Sequence, residues 1–408
     1  MDLILRNAIK AEGPGRPVDI GIADGRIAAI APALAADGES LDLGGRLVVP
    51  GLVETHLHLD KSCIMDRVAV REGTLAEAVA QVAAAKRGFT AADVAERAGR
   101  TLRKCIVNGT MRIRTHVEVD PVIGLTGFAG VKAAAADHGW AVDVEICVFP
   151  QEGLLNNPGT EALMRAALSD GARVVGAAPY TDSDPHGQID RVFAIARDFD
   201  ADIDMHLDLS ADAASLDADH VCRQADAHGW GGRVAIGHVT KLAFLEPERF
   251  AATARRLADA GVAVTVLPST DLFLIGRERD HAIPRGVAPA HRLLAHGVNC
   301  SLSTNNVLNA FTPFGDASLI RMANLFANVA QLGTPAEMAE CLAMVSARSA
   351  RLMNLGDYGV AVGAPADIVV LDASDPATAV AELAQPLCGY KAGRRTFTRP
   401  IPQLHPPG

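Results

Sequence analysis

Between residues 51 and 355 the chain alternates strand-like runs with helical stretches, and this alternation constrains its fold more than any other feature. The runs are LVETHLHL, RIRTHVEV, VDVEICVF, RVVGAAP, DIDMHLDL, RVAIGHV, VAVTVLP and VNCSLST, each of about five to eight residues. Amphipathic or alanine-rich segments such as 72–87, 159–169, 190–199 and 247–260 separate them. Strands joined through helices lie parallel, and eight such units are the number that closes a barrel. The expected fold is therefore α/β, a (β/α)8 barrel over 51–355.

The two ends have a different texture. Residues 1–50 carry LILRNA, VDIGIADGRIAAI and GRLVVPG, parted by the turn signals Glu12-Gly13-Pro14-Gly15, Asp24-Gly25 and Gly44-Gly45. Residues 356–408 carry DIVVLDAS and GYKAGRRTFTRP. Neither piece alone is large enough for a stable sheet with a covered face. The two are expected to pair into one small β-sandwich, while the tail PIPQLHPPG reads as a loose end or surface arm.

Composition narrows the partners. The net charge is −10 with no basic cluster, which argues against nucleic acid and anionic membranes. The start, MDLILRNAIK, lacks the apolar core and cleavage site of a secretion signal. No apolar run approaches the roughly 18 residues that span a bilayer. The seven cysteines are dispersed with no CxxC pair, and read as reduced thiols of a cytoplasmic protein. A homo-oligomer with a small-molecule substrate is expected.

The polar residues fall at the C-terminal ends of the strand-like runs, where a barrel builds its active site. The first run ends His56-Leu57-His58-Leu59-Asp60-Lys61. Residues two apart on a strand share a face, so His56 and His58 can converge, and two such imidazoles are half of a divalent-metal site. A pair of inward histidines held only by hydrogen bonds is the competing reading of HxH alone. It loses ground because the fifth run carries His206, the sixth ends at His238, and the eighth ends Ser303-Thr304-Asn305-Asn306.

In this order the residues resemble the amidohydrolase superfamily, and within it the cytosine deaminase branch that includes the N-isopropylammelide hydrolases. The resemblance spans nearly the whole chain. It rests also on Pro50-Gly51-Leu52-Val53-Glu54, Arg114-Thr115-His116-Val117, Phe149-Pro150-Gln151-Glu152-Gly153, Val174-Val175-Gly176 and Gly363-Ala364-Pro365-Ala366-Asp367-Ile368-Val369. It implies that His56, His58 and His206 hold one divalent ion, zinc or iron, with Asn305 at the position of the family's fourth ligand. It implies that His238 meets the attacking water or polarises the substrate, and that Gln151 bonds a ring amide. Lys61 would lie near the substrate, as in the N-isopropylammelide type.

Two proton-handling carboxylates of cytosine deaminases are missing. The glutamate three residues after the fifth-strand histidine is Leu209 here, and the aspartate after the eighth strand is Asn305, followed by Asn306. An asparagine carbonyl can coordinate a metal but is no base near neutral pH, so cytosine itself is not the expected substrate. Three neutral imidazoles around a divalent ion already bring a bound water's pKa to about 7. What is still needed is a donor to the leaving nitrogen, and His238, Lys61 and Asp184 are the candidates. Lys61 reads alternatively as a salt-bridge partner of Asp60, and Asp184 as a solvated turn before Pro185. His116 reads as a pocket wall or supporting residue, and Asn306 as a substrate contact. The expected activity is hydrolysis of a C–N bond, by deamination or deamidation, in a small nitrogen heterocycle or cyclic amide. Ring opening of a cyclic amide, and a non-catalytic barrel that only binds, are the alternatives.

Overall fold

The computed structural model describes residues 1–13 and 15–405; Pro14 of the first turn signal and the last three residues of the proline-rich tail lie outside the described residues. Every one of the eight runs is a strand: Leu52–Leu57, Thr110–Glu118, Asp143–Phe149, Val174–Val175, Asp202–Leu207, Val234–His238, Val262–Val266 and Cys300–Leu302. They pair in chain order and all in parallel. A parallel bridge from Leu57 to Asn305 joins the last strand end to the first and closes the barrel. The strands bury both faces, one against the outer helices and one inside the barrel, which is why they read as near-continuous apolar runs.

The fourth strand is the shortest, and Gly176 follows it. A Cβ at Gly176 would stand 2.7 Å from the Asp204 carbonyl oxygen, so the backbones approach here as only glycine permits. The helices Leu75–Ala85, Thr160–Ser169, Pro185–Phe199 and Pro247–Asp259 fall on the four expected segments.

The termini form one sheet of eight strands. Leu3–Lys10 is its pivot: its first half pairs with Val18–Ala23 and Glu39–Asp42, and its end pairs with Leu47–Pro50. Leu47–Pro50 then pairs with Ile368–Leu371 from the far end of the chain. The two halves fold over a shared core that includes Leu5, Ile20, Ile22, Val48, Ile368, Val370 and Tyr390. The hairpins turn on Asp24-Gly25 and Ala392-Gly393, all four at positive φ, as a two-residue turn between twisted strands requires.

A separate apolar cluster lies over the C-terminal mouth of the barrel. Ile64 after the first strand, Ala78 and Val82 of the helix Leu75–Ala85, Leu209 after the fifth strand, Leu274 after the seventh, and Ala310 and Phe311 after the eighth pack together. This cluster covers the ends of the strands that carry the histidines.

Candidate active site

Strand alternation puts the histidines inside the barrel. A β-bulge between Glu54 and Leu57 lies beside them and re-aims the end of the first strand. His206 Nε2 is 3.1 Å from His56 Nε2 and 3.0 Å from His58 Nε2, and all three rings are buried. Gly237 makes room for this arrangement, since a Cβ there would meet His56 Cε1 and Nδ1 at 3.1 Å. Phe149 stacks on His206 at 4.5 Å between ring centroids and holds its plane.

These nitrogens cannot satisfy one another. His58 Nδ1 donates to the His116 carbonyl at 3.2 Å, which leaves His58 Nε2 as a bare lone pair. His206 carries one ring proton at most while neutral and faces two nitrogens. Burial keeps the rings neutral: it pushes His56 down to about 3, and His58 and His206 well below the ordinary histidine range. Three neutral imidazole nitrogens gathered this closely could hold a divalent ion. Zinc–nitrogen bonds near 2.0–2.1 Å with tetrahedral angles set the nitrogens about 3.3 Å apart, close to the spacing found.

Beneath this trio lies a supporting layer. His116 stacks on His56 with centroids 3.7 Å apart, and its Nε2 is 3.4 Å from Asp204 Oδ1, an oxygen that also faces His56 Nδ1 at 3.6 Å. Burial pushes the Asp204 carboxyl up, but His116, His56 and Arg114 outweigh it and hold the group far below the usual carboxylate range. Arg114 bonds the other Asp204 oxygen at 3.0 Å and Glu145 at 2.6 Å. His116 thus stacks against a candidate ligand, as its reading as a supporting residue expects. A carboxylate oriented on a metal-binding histidine fixes its tautomer and raises its basicity.

Above the trio, Lys61 Nζ donates to Glu118 at 2.6 Å and to Gln151 Oε1 at 3.1 Å, and sits 4.4 Å over the Phe311 ring. The alternative reading of Lys61, a salt bridge to Asp60, is not what forms: its partners are Glu118 and Gln151. Asp60 instead accepts the backbone N–H groups of Lys61 and Glu118, and burial pushes its carboxyl up to about 6. Burial also pushes Glu118 up, but Lys61 and Lys86 outweigh it and keep it below its ordinary value. Gln151 Nε2 is buried with no well-formed hydrogen bond among the described residues, and the Tyr180 hydroxyl lies near enough to interact with the Gln151 amide. Asn306 Oδ1 accepts from Asn309 Nδ2 at 2.7 Å, and Asn309 also reaches the Lys61 carbonyl.

His238 and Asn305 face each other. Both have positive φ, which is rare outside glycine and turns each side chain inward from its strand end. Asn305 Nδ2 is 3.4 Å from His238 Nε2, and Asn305 Oδ1 is buried without a partner. On its other side, His238 Nδ1 is 2.6 Å from Asp271 Oδ1. Burial holds the Asp271 carboxyl above its ordinary value, although His238 pulls it down.

Asp184 is not brought to this cluster. It is exposed and caps the helix Pro185–Phe199, accepting the Gly187 N–H at 2.9 Å. An aspartate just before a proline is an N-cap signal as much as a catalytic one, and here the cap takes the carboxylate. Sequence reasoning missed Asp204, Glu118 and Asp271. The first two share strand parity with His206 and His116 and were findable from it; Asp271 follows the seventh strand, in Pro268–Leu274.

A parallel eight-stranded barrel with such a histidine trio at its C-terminal strand ends has the build of a metal-assisted hydrolase. The comparisons agree. The amidohydrolase family profile matches residues 39–147 and 143–397. The N-isopropylammelide isopropyl amidohydrolase of Pseudomonas sp. (strain ADP) is 27% identical over 407 residues, 96% of each chain. The pterin deaminase of Rhizobium rhizogenes (strain K84 / ATCC BAA-868) is 28% identical, covering 87% of this chain and 82% of its own. Among solved structures, 5-methylcytosine deaminase from Klebsiella pneumoniae liganded with 5-fluorocytosine superposes with TM-score 0.94 at 26% identity, covering 98% of this chain and 99% of that one. The chain belongs to the amidohydrolase family, and is a hydrolase of C–N bonds other than peptide bonds. No helix among the described residues is long and apolar enough to cross a membrane.

Proposed function

We propose that the protein hydrolyses a C–N bond of a small nitrogen heterocycle or cyclic amide, by deamination or deamidation, and that cytosine is not its substrate. The observation that carries this is the approach of His206 Nε2 to His56 Nε2 at 3.1 Å and to His58 Nε2 at 3.0 Å, with His238 beside them. These three histidines would hold one divalent ion, zinc or iron, with the Asn305 carbonyl oxygen at hand as a fourth donor. A divalent ion in such a set supplies Lewis acidity, which lowers the pKa of water and polarises a carbonyl or ring carbon.

The chain's own residues do the rest. Gln151 Nε2 donates to a ring carbonyl or ring nitrogen, and Lys61 carries positive charge to the same edge of the substrate. His238 Nε2 takes a proton from the attacking water as its oxygen bonds to carbon. It returns that proton to the nitrogen as the C–N bond breaks, so that ammonia or an amine leaves and no net proton is stored. The apolar cluster over the mouth excludes bulk water from this exchange.

Relatives named for N-isopropylammelide and pterin support a heterocyclic substrate. Leu209 within the apolar cluster, in place of the shuttle glutamate, supports the exclusion of cytosine. The seven buried, unpaired cysteines support a reducing, cytoplasmic setting. The test is a screen of aminopyrimidines, triazines, pterins and cyclic amides with ion-loaded protein, reading ammonia or amine release and ring opening. Turnover of one class other than cytosine is expected; cytosine as the preferred substrate, or ring opening without amine release, would overturn the reading.

A further inference from the structure

The carboxylates around the histidine cluster are nearly all committed elsewhere. Glu118 is held by Lys61 and Lys86, and Asp204 by Arg114. Asp208 accepts the backbone N–H groups of Asp217 and Ala218 and faces Lys241 at 3.1 Å. Asp60 accepts two backbone N–H groups, and Glu54 is taken up by Thr304. Asp271 differs. It is wholly buried and spends its short hydrogen bond, 2.6 Å, on a histidine side chain, His238 Nδ1. Among the described residues, its carboxylate's other bond is a long one of 3.3 Å from the Leu267 N–H. A structural cap would be the reverse, with the strong bond to the backbone.

We propose that Asp271 is the positioning residue for His238, holding its proton on Nδ1 so that the bare Nε2 lone pair faces the reacting centre. Asp271 thereby serves, through His238, the proton-handling part that Asn305 cannot play. The proposal rests on the reading of His238 as the proton carrier.

Three features of the geometry converge on it. The carboxylate can only accept from Nδ1, so a neutral His238 has one favoured tautomer. The amide of Asn305 approaches Nε2 at 3.4 Å with its nitrogen, a donor that suits an unprotonated Nε2. The ring then stands 5.6 Å from the His206 ring and 5.9 Å from the His56 ring, beside the candidate ion site. When Nε2 takes a proton from water, the imidazolium formed lies against a carboxylate that compensates its charge. When Nε2 gives the proton to the leaving nitrogen, the same carboxylate restores the starting tautomer. The carboxylate is thus moved from the eighth strand's end to the helix after the seventh. Asp271 touches no reacting atom.

The tautomer is measured directly, without any substrate. Long-range proton–nitrogen NMR of ion-loaded, 15N-histidine-labelled protein, with the His238 signals assigned by their loss in H238N, reports which ring nitrogen bears hydrogen. The expected result is Nδ1–H in the native protein and a shift toward Nε2–H in D271L, which has no acceptor. Nε2–H in the native protein overturns the proposal, whether or not any variant folds. On a substrate found by the screen, D271N and D271L are expected to lower kcat on the order of 10²–10⁴-fold with KM within about threefold and ion content unchanged. An unchanged kcat in a folded D271N, or a loss traced wholly to lost ion, also overturns it. Because the NMR result needs no turnover, failure of the positioning role is distinguishable from failure of the proposed activity.

Discussion

Leu209 stands where a cytosine deaminase carries its shuttle glutamate, and the apolar cluster around it gives a quantitative reason why a glutamate does not belong there. Leu209 is 6% exposed and packs in the cluster of Ile64, Ala78, Val82, Leu274, Ala310 and Phe311. Leu209→Glu removes roughly 2 kcal/mol of apolar burial. It also buries a carboxyl among hydrocarbon, and such groups shift their pKa up to about 8–9. Keeping the group neutral from its ordinary value near 4.3 costs about 1 kcal/mol at pH 5 and about 5 kcal/mol at pH 8, at about 1.36 kcal/mol per pH unit. The sign follows from proton linkage. A carboxyl whose pKa rises on folding leaves stability intact below its unfolded value, and stability falls as pH climbs toward the folded one. The assay is denaturant unfolding of L209E at pH 5 and pH 8, with L209Q as the uncharged control. L209Q should lose stability equally at both, while L209E loses about 4 kcal/mol more at pH 8 than at pH 5. L209E should gain no cytosine deamination. Equal losses at the two pH values would mean that the introduced carboxylate finds a cation such as Lys61, and that the cluster around Leu209 is not dry.

Further outcomes follow from the same geometry. Gly237→Ala puts a methyl against the His56 ring; ion affinity by chelator competition should fall roughly 10–100-fold, the usual effect of disturbing a ligand's support, with the melting temperature little changed. Asn305→Asp should lower kcat, because the added anion competes with Asp271 for the His238 proton; a gain in kcat would place the proton route elsewhere, with Lys61 next to be tested. A protein cut near residue 355 lacks Ile368–Leu371, the partner of Leu47–Pro50, and should aggregate; a soluble, cooperatively melting product would show that the two ends share no core.

The barrel was legible because each strand is buried on both faces and so reads as an apolar run, and because the histidines sit at strand ends, where chain order alone places them together. The hairpins of the terminal sheet were legible at Asp24-Gly25, whose turn chemistry is local. Asp184 was misread because a helix cap and a catalytic carboxylate share the same local sequence, and only burial separates them. The Lys61 partner was not legible, because Asp60 is adjacent in sequence whereas Glu118 is brought in from the second strand. Asp271 carries no local signal at all: its meaning comes from His238, which reaches it from the neighbouring strand's end. The mouth cluster was invisible because it gathers one or two residues each from three loops and two helices.

The central claim is that His56, His58 and His206 hold one divalent ion on which C–N hydrolysis depends, and elemental analysis of protein purified without chelator tests it most directly. The account predicts about one equivalent of zinc or iron, as expected of a closed set of three imidazoles, lost in His206→Ala along with activity. Well under one equivalent in the native protein, with no activity gained on adding zinc, iron or manganese, would contradict it.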